Sequence, residues 1–231
     1  DNGTCQYPDI NYDCEGNCIV EIDCMGDCGG EAELDDCGVC NGNDVCEVTL
    51  LIDIFQGWNW FSLNLEGDLN IGSVLSTLVS TEGDFIKSQN LSATYYSNFG
   101  WYGTLNVFAL TEMYKFHSSN SGTLSFTGIP IDPLNYPIAL SSGWNWIGFT
   151  PQNEGLIGEA LSTADFYEGD FIKNQNQSAV YYEGFGWFGG LEVMTPTNGY
   201  MINVEEESEL IYPNFNTDDN ALTRTKIEKN M

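Results

Sequence analysis

Apolar and polar residues alternate in short runs along most of the chain, and Gly, Asn and Ser residues separate the runs. Residues 50–55 and 58–65 alternate or run apolar with many β-branched and aromatic side chains, and Gln56-Gly57 interrupts them. We expect these two segments to form a pair of strands. Further short strands are expected at residues 85–86, 94–96, 101–102, 113–116 and 123–126. This pattern is typical of an all-β sandwich or barrel.

A helical spacing appears in two places. Between residues 71 and 78, apolar side chains recur at i, i+3, i+4 and i+7, which places them on one face of a helix. Asn70 precedes this segment and is suited to capping its N-terminus. Residues 157–164 repeat the spacing. We therefore expect one short helix at each place.

The chain contains an internal duplication. Gly57-Trp58-Asn59-Trp60 returns 86 residues later as residues 143–146, and Gly-Asp-Phe-Ile-Lys at 83–87 returns at 169–173. Thirty of the 70 positions from Gly57 to Phe126 match their partners at this shift without a gap. The duplication predicts two tandem β-sandwich-like domains with one short helix per repeat.

The repeats divide the chain into four parts. We expect a Cys-rich module at residues 1–49, repeat 1 at 50–129, repeat 2 at 130–213 and a tail at 214–231 that leaves the repeat pattern. Prolines 130, 133 and 137 lie in the stretch Ile129–Pro137. Because proline fixes φ and resists helix, this stretch is predicted to be a stiff, extended connector.

All eight cysteines lie in the first 46 residues, and the rest of the chain has none. An even number of cysteines in a short, polar, Gly-rich stretch indicates a disulfide framework and an oxidising, extracellular compartment. The spacing of some pairs also allows zinc, which stays an alternative. The chain begins with Asp1 and shows no leader, so we expect an upstream segment to have been removed. The predicted disulfide residues are Cys5, Cys14, Cys18, Cys24, Cys28, Cys37, Cys40 and Cys46.

These motifs resemble a known kind of architecture. A Gly-Trp-Asn-Trp strand, a small helix, Gly-Asp-Phe-Ile-Lys and Gly-Trp-x-Gly-x-Leu follow one another as in the tandem modules of secreted, multidomain bacterial surface proteins. Residues 13–18 and 36–42 resemble the Cys-rich spacers of such proteins, and Cys-Gly-Val-Cys at 37–40 is similar to the cysteine-rich region of secreted metalloproteases with thrombospondin motifs. The resemblance implies a compartment and an architecture. Gly199 precedes Tyr200 as in the pattern, whereas repeat 1 has Met113 there, which puts its turn in question.

The charge excludes two classes of partner. Thirty-four acidic and six basic residues give a net charge of −28. Nucleic acids and anionic membrane surfaces are bound largely through Lys and Arg, so both are disfavoured. The chain also lacks the run of about 18 apolar residues that membrane insertion needs.

Residues 1–49 hold 13 acidic residues and no Lys or Arg. Carboxylate, carbonyl and amide oxygens are the ligands of Ca²⁺, so we expect calcium as a possible cofactor, with a solvated acidic surface as the alternative. The candidate calcium ligands are Asp13, Glu15, Asp23, Asp27, Asp35, Asp36 and Asp44, with Asn17 and Asn43 as further oxygen donors.

The aromatic residues offer a second kind of site. Trp58 and Trp60 lie two apart on a strand and therefore share one face, which we expect to be core. Trp101 and Trp187 lie in Gly-rich turns and are candidates for stacking on sugars. Three sequons predict glycosylation at Asn2, Asn90 and Asn176.

Catalysis is not expected. The single His117 becomes Asn203 in repeat 2, so no duplicated histidine site exists. The acidic pair Glu82 and Asp84, repeated at 168 and 170, is better explained as a turn before a strand than as a glycosidase pair.

The sequence thus predicts an extracellular, non-enzymatic structural or adhesive subunit of a surface appendage or fibre. Its acidic N-terminal module and its basic tail would join unlike ends of neighbouring copies into a head-to-tail homopolymer. The alternatives are a pair of carbohydrate-binding modules and an accessory domain pair cut from a larger enzyme. The tail residues expected to make the assembly contact are Leu222, Arg224, Lys226 and Ile227.

Overall fold

The computed structural model describes residues 11–13, 16–33 and 46–215. These residues fall into two compact units, one before Val48 and one from Val48 onward. The structure is 42 % strand and 7 % helix, and the strands pair antiparallel. The all-β prediction is confirmed.

The described part of the first unit contains two similar turns, ten residues apart. Asp13 Oδ1 accepts from Asn17 N at 2.8 Å, and Asp23 Oδ1 accepts from Asp27 N at 2.8 Å. Isolated bridges join Tyr12 with Cys18 and Ile22 with Cys28, so the two turns have the same outline.

A disulfide joins the two turns. Cys18 and Cys28 are bonded with their Cα atoms 5.6 Å apart. Cys24 and Cys46 are also disulfide-bonded, so the disulfide prediction is confirmed for every cysteine that the structure describes. The predicted disulfide residues Cys5, Cys14, Cys37 and Cys40 lie outside the described residues.

The elements of repeat 1 are β1 (Val48–Ile54), β2 (Gly57–Phe61), β3 (Leu65–Glu66), α1 (Ile71–Val74), β4 (Phe85–Lys87), β5 (Ser92–Tyr96), β6 (Gly100–Gly103), β7 (Tyr114–Ser118) and β8 (Gly122–Pro130). They form one five-stranded sheet, ordered β2-β7-β4-β5-β6, and a smaller sheet ordered β1-β8-β3.

The elements of repeat 2 are β9 (Ile138–Leu140), β10 (Gly143–Ile147), β11 (Gly155–Leu156), α2 (Ile157–Ala160), β12 (Phe171–Lys173), β13 (Ser178–Tyr182), β14 (Gly186–Gly189), β15 (Val193–Met194), β16 (Tyr200–Val204) and β17 (Ser208–Leu210). Its large sheet has the corresponding strand order, β10-β16-β12-β13-β14, and β9 with β17 and β11 with β15 form two-stranded pairs.

Each repeat has its own apolar core. In repeat 1 the large sheet contributes Phe61 and Ile86, the helix contributes Val74, and the small sheet contributes Ile54 and Leu124. A corresponding cluster in repeat 2 runs from Ile138 to Tyr212. The two short helices lie where they were predicted, and the Asn70 side chain accepts from Gly72 N at 3.0 Å, as expected of an N-cap. No helix among the described residues could cross a membrane.

The predicted pairing of the first two strands is wrong. β1 pairs with β8 and β2 pairs with β7, so the chain passes from the small sheet to the large one at Gln56-Gly57. Gly57 has a φ of 99°, which favours glycine. The Asn59 side chain closes the turn by accepting from Phe55 N at 2.8 Å and donating to Phe55 O at 2.7 Å. Asn145 makes the same two contacts with Ser141.

The predicted extended connector is also wrong. β8 continues to Pro130, across the predicted boundary between the repeats, and Ile131 is buried. Asp132 then caps a short 3-10 turn at Pro133–Asn135, accepting from Leu134 N at 3.1 Å. Proline is well suited to the first position of such a turn, so the same residues that suggested a spacer fold against the body.

Candidate binding surface at the junction of the repeats

The two repeats contact each other through reciprocal glutamines. Gln175 of repeat 2 accepts from Trp60 N at 2.8 Å and donates to Trp58 O at 2.8 Å. Gln89, 86 residues earlier, accepts from Trp146 N at 2.8 Å and donates to Trp144 O at 2.9 Å. Strands β2 and β10 each lie at the end of a five-stranded sheet. The glutamine side chains therefore form hydrogen bonds with backbone N–H and C=O groups that an edge strand would otherwise leave unpaired.

Backbone contacts follow the same two-fold pattern. Ser62 N donates to Thr197 O at 2.9 Å, and Gly148 N donates to Thr111 O at 2.9 Å. Isolated bridges join residue 61 with 198 and residue 112 with 147, again related by a shift of 86. A contact in which each side presents the same groups to the other is isologous, as in two-fold homodimers. The repeats are held together as such a pair within one chain.

The turn questioned in repeat 1 is present in both repeats. The Tyr114 hydroxyl accepts from Ala109 N at 2.6 Å, and the Tyr200 hydroxyl accepts from Thr195 N at 2.8 Å. Burial raises the pKa of both hydroxyls. Gly199 is thus not required for the turn. It is required by the junction, since a Cβ at this position would lie 2.7 Å from the Met113 Cβ.

The tryptophans of the Gly-Trp-Asn-Trp strands face outward. Asn59 points inward and is buried, so the alternation of the strand turns Trp58 and Trp60 away from the core. Trp58 is 46 % exposed and its equivalent Trp144 is 42 % exposed. The prediction that Trp58 and Trp60 are core residues is therefore wrong, because the inner position of this strand belongs to the turn-closing asparagine.

The proposed sugar-stacking residues Trp101 and Trp187 are half-buried. Trp101 packs against the core of repeat 1, with its ring 5.9 Å from Phe116. Trp187 lies 4.9 Å from Phe166 in repeat 2. Part of each ring surface is thus already used in packing, whereas Trp58 and Trp144 are more open.

Three lysines gather between the outward tryptophans. The Lys115 ammonium lies 3.9 Å from the Trp60 ring and 4.2 Å from the Trp146 ring, so it bridges the two repeats. Lys87 lies over Trp146 at 5.4 Å, and Lys173 lies over Trp144 at 5.0 Å. We call these six residues the Lys-Trp cluster: Lys87, Lys115, Lys173, Trp60, Trp144 and Trp146.

Burial and the neighbouring lysines both disfavour the charge of Lys115 in the Lys-Trp cluster. Burial, followed by repulsion from Lys87 and Lys173, lowers the pKa of Lys115 to about 8. Strand register places Lys115 directly opposite both Trp60 and Lys87. Its equivalent in repeat 2 is Met201, so the lysine at the centre of the cluster has no counterpart in the second repeat. The sequence did not reveal this cluster, although a signal was present. Of the six basic residues in the chain, Lys87 and Lys173 are duplicated and Lys115 lies in a neighbouring strand segment.

A cleft of about 340 Å³ adjoins Trp60. It lies between strand β1 and residues 174–177 of repeat 2, and Thr197 and Asn198 complete its wall. Thr197 has a φ of 70°, an unusual conformation for a β-branched residue. Its carbonyl accepts from Ser62 N, so the junction holds this backbone in place.

The candidate calcium ligands that the structure describes do not converge on one point. Among the described residues, no group of three or more His, Cys, Asp or Glu side chains is placed to hold a metal. Asp23 uses its oxygens on Asp27 N and Ala32 N, and the former contact is the main cause that lowers its pKa. Glu15, Asp35, Asp36 and Asp44 lie outside the described residues.

The sequons are placed on the surface. Asn90 and Asn176 are exposed, and each directly follows one of the junction glutamines. Asn2 and the predicted assembly residues lie outside the described residues. These assembly residues are Leu222, Arg224, Lys226 and Ile227.

The acidic pairs fold as turns, as predicted. Asp84 is buried and accepts from Thr81 N and Ser119 N, both at 2.8 Å. Glu82 accepts from Ser97 N, which lowers its pKa. These carboxylates hold the turn before β4 in place.

No family model, curated protein or solved structure matches this chain.

Proposed function

We propose that this protein is an extracellular, non-enzymatic structural or adhesive subunit that assembles head-to-tail through its termini. The proposal treats each repeat as a sandwich-like domain. One observation carries it: β6 and β14 are end strands of the two large sheets, and their aromatic side chains are exposed.

A strand from another chain can pair with the open edge of a sheet. The β2 and β10 edges are capped by glutamines across the junction, but β6 and β14 have no further strand beside them within the described residues. Tyr102 on β6 is 75 % exposed, and Phe188 on β14 is 54 % exposed. Residues 221–227 have the composition of a polar strand. Such a strand could pair with one of these edges by β-augmentation.

Charge independently favours contact between unlike ends of neighbouring copies. Residues 1–49 carry 13 acidic and no basic residues, whereas residues 221–231 carry three basic residues and one acidic residue. The ends of one subunit therefore attract unlike ends of the next. A heterologous contact of this kind propagates as a filament unless its rotation closes a ring.

Truncation tests the proposal. The deletion should begin at residue 216, because Phe215 stacks on Phe149 with an angle of 14° and its carbonyl accepts from Asn153 at 2.7 Å. We expect the full chain to form filaments by electron microscopy and sedimentation. The truncated chain should melt unchanged and stay monomeric. Filaments from the truncated chain, or a full chain that remains monomeric at high concentration, would contradict the proposal.

A second candidate is carbohydrate binding, which the outward tryptophans favour. Trp58 and Trp144 lie at equivalent positions and are both open to solvent. Exposed aromatic faces can stack on sugar rings, and the cleft beside Trp60 adds polar groups. Glycan arrays with the full chain, compared with the Trp58→Ala variant, test this candidate.

Calcium in the acidic module remains part of the proposal. If calcium stiffens this module, chelation should increase its sensitivity to protease while leaving the two repeats intact. Unchanged digestion would indicate a solvated acidic surface instead.

A further inference from the structure

We propose that the Lys-Trp cluster binds short acidic oligosaccharides, with sugar carboxylates on its ammonium groups and sugar rings against Trp58 and Trp144. This inference rests on the second candidate function and names its ligand class. It moves the binding surface from Trp101 and Trp187 to the junction between the repeats.

The cluster is electrostatically unfavourable without an anion. Lys87 and Lys115 lie directly opposite each other on neighbouring strands, an arrangement in which like charges destabilise a sheet. Lys173 adds a third repelling charge. Local conflicts of this kind concentrate at functional sites.

The ammonium groups of the cluster also keep their hydrogen-bonding capacity. In residues 46–215 their contacts are with ring faces, which accept no conventional hydrogen bond. Each ammonium has three donors. A carboxylate can take these donors in charge-assisted hydrogen bonds and at the same time relieve the repulsion among the lysines.

The arrangement of lysines and tryptophans favours a short, charged chain of rings as the ligand. Lys115 lies at the centre, between Trp60 and Trp146, and the more exposed Trp58 and Trp144 belong to the same two strands. Alternating cations and aromatic faces suit a chain of charged rings. The net charge of −28 repels a long polyanion, so a short oligosaccharide is favoured.

The experiment is calorimetric titration of the full chain with tetragalacturonic acid. The fully methyl-esterified tetrasaccharide has the same rings without the charges and serves as the matched ligand. We expect the acid to bind and the ester to bind at least about tenfold more weakly, which corresponds to about 1.4 kcal/mol.

Variants assign the binding to individual residues. Lys115→Met installs the residue that repeat 2 has at this position, and we expect it to weaken acid binding at least about tenfold. The double variant Lys87→Gln with Lys173→Gln should do the same. Lys229→Gln removes an equal charge from the tail, at a position outside the proposed assembly residues, and should change the affinity less than about twofold. Melting curves verify that each variant folds.

The pH dependence provides a second readout. Deprotonation of Lys115, whose pKa is about 8 in the free protein, should weaken binding of the acid as the pH rises from 7 to about 9. The Lys115→Met variant should lose this dependence.

Three results would overturn the inference. Equal binding of acid and ester, with no effect of the lysine variants, would leave carbohydrate binding intact but remove the charged site. Poly-glutamate binding as tightly as the sugar acid would assign the cluster to acidic peptides, including a second copy of this chain. Absence of binding to either saccharide would reject the inference and, with empty glycan arrays, the second candidate function.

Discussion

Gly199→Ala tests whether the two repeats pack as closely as the structure shows. The added Cβ would lie 2.7 Å from the Met113 Cβ, 3.0 Å from Phe61 O and 3.2 Å from Phe61 N. Gly199 is not among the residues with positive φ, so its backbone suits alanine and the cost is steric. Two of the three neighbours are backbone atoms, which cannot rotate away. Overpacking of this kind costs about 1–3 kcal/mol.

The assay is urea and thermal unfolding of the full chain, with Gly158→Ala as the control. Gly158 lies in α2, and a Cβ there meets nothing within 4 Å. The control should therefore gain up to about 1 kcal/mol from helix propensity. At about 2–4 °C per kcal/mol for a protein of this size, Gly199→Ala should lower the melting temperature by about 2–12 °C.

An unchanged melting temperature for Gly199→Ala would refute the reasoning, because alanine would then fit where the junction leaves no room. Two resolved unfolding transitions in the wild type would also contradict close packing of the two repeats. They would show that the repeats unfold separately despite their reciprocal contacts.

Three further predictions follow from the same structure. Asn59→Ala and Asn145→Ala should each lower the free energy of unfolding by about 1–3 kcal/mol in urea titrations, because each leaves turn backbone groups unpaired; unequal losses would contradict the equivalence of the two turns. The lowered pKa of Lys115, about 8, means that the unfolded chain binds more protons between pH 8 and about 10.5, so wild-type stability should rise with pH in this window relative to Lys115→Met; parallel curves for the two proteins would contradict this. Intact-mass measurement should show eight hydrogens missing for the eight cysteines, and free thiols in the native protein would contradict the disulfide framework.

The sequence predicted what local patterns and self-comparison can reveal. The constant shift of 86 residues anticipated two sheets with the same strand order, and the Asn70 cap was visible directly before its helix. Strand partners were harder to predict, since β1 and β8 are separated by more than 60 residues. A neighbouring apolar segment looked like the partner of β1, but Asn59 turns the chain into the other sheet.

The candidate binding surface was not predicted from the sequence, for a related reason. Periodicity shows that Trp58 and Trp60 share a face, but it does not show whether that face is buried. The two tryptophans face outward because Asn59, which lies between them, points inward and closes the turn with its side chain. The contacts of Lys115 with both repeats arise only when the chain folds back across the junction. One sequence signal was available, since Gln89 and Gln175 are identical at the duplicated shift although both are exposed.

The duplication also explains why the Lys-Trp cluster has a single central lysine. A strictly symmetric pair would place a lysine at residue 201 as well as at residue 115, on strands that both face the junction. Burial, followed by repulsion from Lys87 and Lys173, already lowers the pKa of Lys115, and a fourth charge would add to this repulsion. Met201, which lies opposite Trp146, avoids that cost. The junction glutamines are thus identical in the two copies, whereas the difference between Lys115 and Met201 makes the cluster asymmetric, which would give the proposed oligosaccharide one preferred orientation.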